Sequence, residues 1–447
     1  MKSNIKIIIF LIQFLLILTG SSHGIEQFSF DVTEVEILEN GNKFKGSKRG
    51  RITSENGITI DGDEFLYDKN LNILNVRGKV KIFDKVNQYT FSSENITYFK
   101  NEEKIITSEN SKAIDERTTI AADTFEYYKE KNLLKAIDNV KIIDKKENII
   151  IFAKNIINKK KQKNIFLEGE TEIIIEEKYK IKSKNILFER NLMRFTSKNK
   201  TEIYDNKFNL FELDEFEYKK NDEFLKGKNI KVTNNINLSK ENSNNFILKS
   251  GFVDLKNQNF VAAETEILLK KNIFGNSEND PRLKGVSSSK NNEITEVNKA
   301  VFTSCKKNDK CPPWKIQAEK IIHDNKKKQL IYDNAILKIY DFPVVYFPKF
   351  FHPDPSVVRQ SGVLIPTLNE SEILGSSIKI PYFYSLSNNQ DITITPNLFT
   401  EDIFMLENEY RLRTDKSSLL ADIGFTKGYK SSISNKKKKY FTFIRKL

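Results

Sequence analysis

The chain has 447 residues but only two cysteines, three histidines and one tryptophan. So few thiols and imidazoles exclude a disulfide-dense scaffold and any large zinc array. Ten prolines and 17 glycines are too few for a collagen-like or low-complexity chain. Past the first 24 residues no long apolar run occurs, so no later helix is expected to reach the roughly 20 apolar residues that span a bilayer. Also missing are a nucleophile with a base and an orienting acid, paired carboxylates in a loop, and a glycine loop to cradle phosphate. His323-Asp324 is a catalytic pair on paper only, because neighbours on a strand point to opposite faces. The chain is therefore read as a non-enzyme that needs no cofactor and no metal.

Aromatic and charged residues are abundant: 33 Phe, 16 Tyr, and a formal charge of +13. The length allows two or three domains, and the charge raises nucleic acid or anionic membrane as partners. Much of that charge lies at the ends. Lys2, Lys6, Lys436, Lys437, Lys438, Lys439, Arg445 and Lys446 stand in stretches without a single acid. The lysine runs at 159–163 and 326–328 read as solvated turns, without the interleaved aromatics of a nucleic-acid module, so no nucleic acid is expected. Residues 1–24 join Lys2 and Lys6 to an apolar core too short to span a bilayer and then to small polar residues. This is the layout of a cleavable signal peptide, which makes the mature chain an exported one.

From about residue 54 to 235 the chain repeats itself. Phe65, Ile96, Phe125, Ile156, Ile186 and Phe216 recur at spacings of 31, 29, 31, 30 and 30. Leu74, Val80, Ile82 and Asp84 return 60 residues later as Leu134, Val140, Ile142 and Asp144. Within each copy apolar residues alternate, the period of strands with one buried face, and pieces such as Asp68-Lys69-Asn70 mark turns. Two short strands cannot bury their own apolar face, so successive copies must stack around a shared interior. The product is an elongated all-β structure. Its candidate inward residues are Phe65, Tyr67, Ile96, Phe125, Tyr127, Ile156, Ile186 and Phe216. Alternation leaves open whether they fill the interior or line a lipid-sized groove.

After residue 295 the character changes. Ser361-Gly362-Val363-Leu364-Ile365-Pro366, Ile380-Pro381-Tyr382, Asp391-Ile392-Thr393-Ile394-Thr395-Pro396 and Glu407-Asn408-Glu409-Tyr410-Arg411 follow in order. In these blocks the chain resembles the LPS-assembly outer-membrane protein family LptD, also called organic solvent tolerance protein. Its repeats look like the periplasmic domain of that family. The Asn-, Ser- and Lys-rich stretches at 234–245 and 275–292 read as loop insertions. The resemblance implies an elongated periplasmic β-jellyroll of about 30-residue repeats at 25–340, followed by the first strands of an outer-membrane β-barrel at 341–447. It further implies lipopolysaccharide as cargo, a periplasmic LPS-bridge protein and an outer-membrane lipoprotein plug as partners, and the cell outer membrane as the location. Pro366 and Pro381 fall in the blocks that form the family's lateral gate, and a proline removes one ladder hydrogen bond. The alternatives are a soluble bridge protein made of the repeat alone and a secreted β-solenoid that binds or cleaves polysaccharide.

Cys305 and Cys311, separated by five residues in an exported chain, favour a local disulfide over free thiols, and with only His323 downstream they make no four-ligand zinc set. In many relatives cysteines near this junction pair with the far end of the barrel, a link that this chain, without a later cysteine, leaves in doubt. The 81 residues after Pro366 allow about four to six membrane strands, too few to close a barrel. The barrel is therefore expected to be incomplete, with a frameshift or gene fragment at the lysine tetrad where strand alternation is lost.

Overall fold

The computed structural model describes residues 28–446 apart from 238–243, 272–277, 307–312, 354–356, 358, 365, 373, 401–402 and 432–433, with side chains as far as 428. The signal segment 1–24 and Cys311 lie outside the described residues. The chain divides into two compact units, Met1–Asn206 with Asp214–Lys220, and Lys207–Leu213 with Asn221–Leu447.

The first unit is a run of antiparallel strands, β1 (Phe28–Leu38), β2 (Lys43–Ser54), β3 (Ile58–Gly62), β4 (Glu64–Asp68), β5 (Ile73–Asp84), β6 (Tyr89–Phe99), β7 (Lys104–Ile114), β8 (Thr118–Tyr128), β9 (Leu133–Asp144), β10 (Ile149–Lys159), β11 (Asn164–Ile175), β12 (Tyr179–Glu189), β13 (Arg194–Ser197) and β14 (Thr201–Asp205). β15 (Leu210–Leu213) belongs to the second unit, and β16 (Glu215–Lys219) returns to the first beside β13. From β5 to β12 each strand ladders onto the next, so one repeat copy is one hairpin. The all-β class and the 30-residue period hold.

Each long strand is broken once, near its middle. The ladders slip between Arg77 and Val80, Ser108 and Ser111, and Leu167 and Glu170. The backbone turns left-handed at Lys48-Arg49, Gly78-Lys79, Glu109-Asn110, Asp138-Asn139 and Gly169. These hinges recur with the period of the repeat. Bulges of this kind bend a strand and sharpen its twist. At the left-handed hinge of β5 two residues are consumed and the inward parity survives, with Leu74 and Val76 before it and Val80 and Ile82 after it all buried, whereas in the intervening β6 the parity shifts by one, from Phe91 and Ser93 to Ile96 and Tyr98. Each strand therefore becomes two arms with their apolar faces turned toward each other. Gly78 suits its hinge because φ is +81° and a Cβ there would sit 2.6 Å from Asp63 Oδ2.

The second unit continues in the same manner with β17 (Phe224–Thr233), β18 (Asn245–Asp254), β19 (Asn259–Leu268), β20 (Arg282–Asn291), β21 (Ile294–Thr303), β22 (Trp314–Asp324), β23 (Gln329–Ile339) and β24 (Phe342–Pro353). Val297, Ala300, Ile321 and Tyr332 lie at the heart of its core. Two expectations are corrected here. The Ser- and Lys-rich stretch 282–291 is a strand, because ladders on both sides, with β19 and β21, hold its backbone whatever its composition. The boundary at 340/341 falls inside a hairpin, since β24 pairs with β23 from Phe342 to Pro353. The three prolines of β24 suit a strand laddered on one side.

A separate sheet begins beyond it, with β25 (Gly362–Val363), β26 (Thr367–Ser371), β27 (Gly375–Lys379), β28 (Tyr382–Ser387), β29 (Gln390–Phe399), β30 (Phe404–Arg413), β31 (Ser418–Ser431) and β32 (Ser434–Lys446). The stretch after the lysine tetrad, where alternation is lost, nevertheless ladders along β31. No helix among the described residues is long and apolar enough to cross a membrane.

Replacing Phe125, fully buried between the arms, with alanine is expected to cost about 3–5 kcal/mol of unfolding free energy. Phe83→Ala, on a side chain 43% exposed, is expected to cost no more than about 0.5 kcal/mol. Denaturant titration of the two variants checks the contrast.

Candidate functional site

All eight inward candidates, Phe65, Tyr67, Ile96, Phe125, Tyr127, Ile156, Ile186 and Phe216, are buried. The arms meet ring to ring. Phe91, before the hinge of β6, lies 6.1 Å from Phe125 and 5.0 Å from Tyr127, both after the hinge of β8. Phe28 touches Tyr67 at 5.0 Å, and Tyr179 touches Tyr218 at 5.9 Å, in tilted or edge-on contacts of the kind aromatic rings favour. In this structure these side chains pack against one another between the arms.

On β4, β6 and β8 tyrosine is the last buried ring before the margin, with its hydroxyl turned to polar partners. Tyr67 donates to Asn72 Oδ1 at 2.9 Å, Tyr98 to Glu103 Oε2 at 2.6 Å and Tyr127 to Asp84 Oδ2 at 2.5 Å. Burial, reinforced by the Asp84 carboxylate, pushes the Tyr127 hydroxyl well above the usual phenol range. Asp84 also accepts the backbone N–H groups of Val86 and Asn87, an Asx turn that fixes the hairpin end. Asp144 holds Glu147 N in the same way one double period later.

Beyond the tyrosines the turns of one margin meet those of the other. Lys160 Nζ donates to Asn87 O at 2.7 Å and sits 4.1 Å over the Tyr89 ring. Arg190 Nη1 reaches Asp115 Oδ2 at 3.2 Å. Lys220 Nζ reaches Glu147 Oε2 at 3.3 Å and Glu176 Oε1 at 2.8 Å. Arg117 ties Asp144 to Glu147 along its own margin, at 2.7 and 2.9 Å. The run at 159–163 is therefore not simply a solvated turn, because Lys160 is half-buried in this set. The Asp115 side chain is 3% exposed. Burial opposes its ionisation, but the backbone N–H groups of Arg117 and Thr118 and the Arg190 guanidinium outweigh that and hold its carboxyl below the usual range.

In the second sheet the two prolines stand at matching interruptions. Val363 ends β25 and Thr367 begins β26, with Pro366 between, while Pro381 lies between Lys379 of β27 and Tyr382 of β28. β25 ladders with β28 and β26 with β27, so these four pieces form one antiparallel pair broken at a single level. There Leu364 N donates to Pro381 O at 2.8 Å, and Ile380 N turns to Pro396 O at 3.1 Å. Nearby, buried Asp391 is held by Arg411 Nε at 2.7 Å and by Arg359, both guanidiniums lying over the Phe383 ring. Nothing in the sequence marks that cluster, whose members lie 20 and 32 residues apart.

Asp324, beside His323, accepts Lys327 N at 2.9 Å and closes a turn. His352 is on β24, with Nε2 2.9 Å from the Tyr332 hydroxyl. Cys305 directs its Sγ to Trp314 O at 3.7 Å. The proposed Cys305–Cys311 bridge involves a residue outside the described set. The sequence alignment did contain a signal for the hinges: Asn155 and Asn185 precede the anchors Ile156 and Ile186, and their side chains accept hinge N–H groups of Asp138 and Gly169 at 3.1 and 3.0 Å.

No family model matches the chain. Among curated relatives, the LPS-assembly protein LptD of Legionella pneumophila strain Paris is 37% identical over 122 residues, which are 27% of this chain and 14% of that protein. The LPS-assembly protein LptD of Polaromonas sp. strain JS666 is 29% identical over 179 residues, 37% of this chain and 21% of that protein. The chain is LptD-like. These matches span about a seventh to a fifth of the relatives' length. A crystal structure of LptH, the LptA-homologous periplasmic component of the lipopolysaccharide transport device of Pseudomonas aeruginosa, covers 24% of this LptD-like chain and 77% of its own, with 18% identity and a TM-score of 0.21, too low to carry an argument.

Because the folded-state pKa of Asp115 is depressed, its contribution to stability is complete above the unfolded carboxylate range and is lost as pH falls through the folded value. Asp115→Asn is expected to cost about 1–3 kcal/mol at pH 7. The difference between the two proteins should shrink as the pH is lowered below about 4, read from denaturant titrations across that range.

Proposed function

We propose that the chain takes part in lipopolysaccharide transport and assembly at the outer membrane. In this reading the two-armed unit takes up acyl chains from a periplasmic bridge protein and passes them toward the β25–β32 segment. The observation that carries it is an apolar interior running through successive hairpins, with its buried polar side chains at the hinges and the margins, in a chain that is LptD-like. An interior of this kind matches hydrocarbon chains in chemistry, and burying each methylene is worth about 0.8 kcal/mol. The ring-to-ring packing implies that cargo replaces contacts between the arms. The role is one of transport, the expected location is the outer membrane with the first unit in the periplasm, and a lipoprotein plug is a further expected partner.

The break at Pro366 and Pro381 supports the gate assignment. Each proline withholds an N–H at a level where the paired strands are already interrupted, so this pair is the weak point of its sheet. A solenoid that binds or cleaves polysaccharide instead would present an outward row of aromatics or acids on one repeat face. Here the repeat's aromatic anchors point inward.

Photocrosslinking residues placed at Phe65, Phe125 and Phe216 in the full chain, expressed in cells that make lipopolysaccharide, are expected to yield lipopolysaccharide adducts. A folded protein with adducts at none of the three would refute the cargo. Pro366→Ala combined with Pro381→Ala is expected to reduce delivery to the cell surface, measured as increased sensitivity to a hydrophobic antibiotic. Unchanged sensitivity would remove the gate role.

A further inference from the structure

β25 is the shortest strand of the second sheet, yet the proposed gate depends on where it lies. It pairs with β28 through its two residues, Gly362 with Phe383 and Val363 with Tyr382, and one further bond runs from Leu364 N to Pro381 O. β26 pairs with β27 along all five of its residues, but the break at Pro366 separates it from β25 and passes little of that register on. A ladder as short as that of β25 specifies register weakly. A slip of two residues would keep every side chain on its own face and carry the interruption in one strand past the interruption in the other.

Side chains on the residues before β25 supply what its ladder lacks. Asp391 on β29, 6% exposed, stands directly across from Arg411 in the β29–β30 ladder and accepts its Nε at 2.7 Å. Arg359 reaches the same carboxylate from the segment before β25. One of its terminal nitrogens bonds Asp391 Oδ2, and the other donates to Asn388 O in the β28–β29 turn at 2.5 Å. Two residues further on, Ser361 Oγ accepts Ser385 N at 2.9 Å. The arrangement is exacting, because a planar guanidinium forks onto its acceptors in fixed directions. A slip of two residues moves Arg359 by about 7 Å, beyond reach of both acceptors, and leaves buried Asp391 with Arg411 alone. A buried ion network is weak evidence for stability, and setting register is its best-attested use.

We propose that Arg359 and Asp391 are positioning residues for the gate. With Arg411 as the fixed side of the cluster, they set the register of β25 on β28 and so hold the interruption at Pro366 level with the one at Pro381. The inference rests on the gate assignment made above and adds the residues that place it.

Disulfide trapping in the full chain, on a background of Cys305→Ser and Cys311→Ser, reads the register directly. Val363→Cys with Tyr382→Cys reports the observed register. Val363→Cys with Tyr384→Cys, or with Ile380→Cys, reports a slip of two residues in either direction. Without further change the first pair should dominate. Asp391→Asn keeps the side-chain shape and removes the charge, and Arg359→Met leaves the Asp391–Arg411 pair in place and so spares the fold. Each should raise the ratio of slipped to observed product by about tenfold or more, and each should raise the sensitivity of cells to a hydrophobic antibiotic. Phe125→Ala, which lowers stability in the first unit, should leave the ratio unchanged. An unchanged ratio in both Asp391→Asn and Arg359→Met overturns the register role. An equal shift in Phe125→Ala reduces the cluster to one more stabilising contact and also overturns it. A shifted ratio with unchanged antibiotic sensitivity supports the register role and overturns the gate assignment beneath it.

Discussion

The break in the middle of each long strand, left-handed in every second one, is the constraint on which the first unit depends. Without it, strands of 11 or 12 residues with one apolar face would form a flat sheet with its hydrophobic side in water. The break keeps the apolar residues of both arms facing inward and turns that side upon itself, so a single sheet supplies both walls of its own core. Because the same hinge falls at residues 48–49, 78–79, 109–110, 138–139 and 169, every hairpin folds at the same level and the interior is continuous from copy to copy. Asn155 and Asn185 hold neighbouring hinges through their side-chain oxygens. Small polar side chains do the same elsewhere: Ser93 donates to Ser108 O at 2.7 Å, and Thr107 accepts Phe125 N at 3.0 Å. A buried bend leaves backbone groups outside the ladder, and these side chains satisfy them.

How much of this was legible in the sequence follows from what each feature needs. The repeat and its anchors were legible because burial imposes a residue type at a fixed spacing, and Phe65, Ile96 and their successors are buried in the structure as alternation predicts. The hinges were not, because left-handed backbone need not announce itself by glycine. Glu109 and Lys79 adopt it here, and only the asparagine before the anchor hinted at the level of the bend. The contacts between the margins were illegible for another reason. Their partners are 44 to 75 residues apart, and which charges meet depends on how far the two arms swing, which composition does not encode. So Lys160 looked like one more lysine in a run.

In the second unit both misreadings concern strands whose state is decided by their neighbours. Residues 282–291 were judged on their own polarity and β24 was set beyond the boundary that the resemblance implied, yet each is held by the strands beside it. A ladder on both sides outweighs the weak strand propensity of Ser and Lys. β24 keeps Pro343 opposite Lys338 at a register slip, where an absent N–H costs little. Context also decides the two prolines read from the resemblance. Pro366 or Pro381 alone would merely end a strand. Placed at one level of a paired, interrupted ladder, they make a local weakness in a sheet whose ladders from β29 to β31 run without a register shift.

The same principle links the two parts of the proposed transport role. A structure that accepts an apolar chain must hold an apolar interior closed in the absence of cargo, and must do so along a line weaker than its framework. In the first unit backbone ladders run along each row of turns, and the bonds between the rows described above are side-chain bridges. In the second sheet the ladder is broken where two prolines withhold their donors. Parting either line breaks fewer backbone hydrogen bonds than parting a ladder does. That division of labour follows from where the sequence places its hydrogen-bond donors: on the backbone where the structure must persist, and on side chains, or nowhere, where it must open.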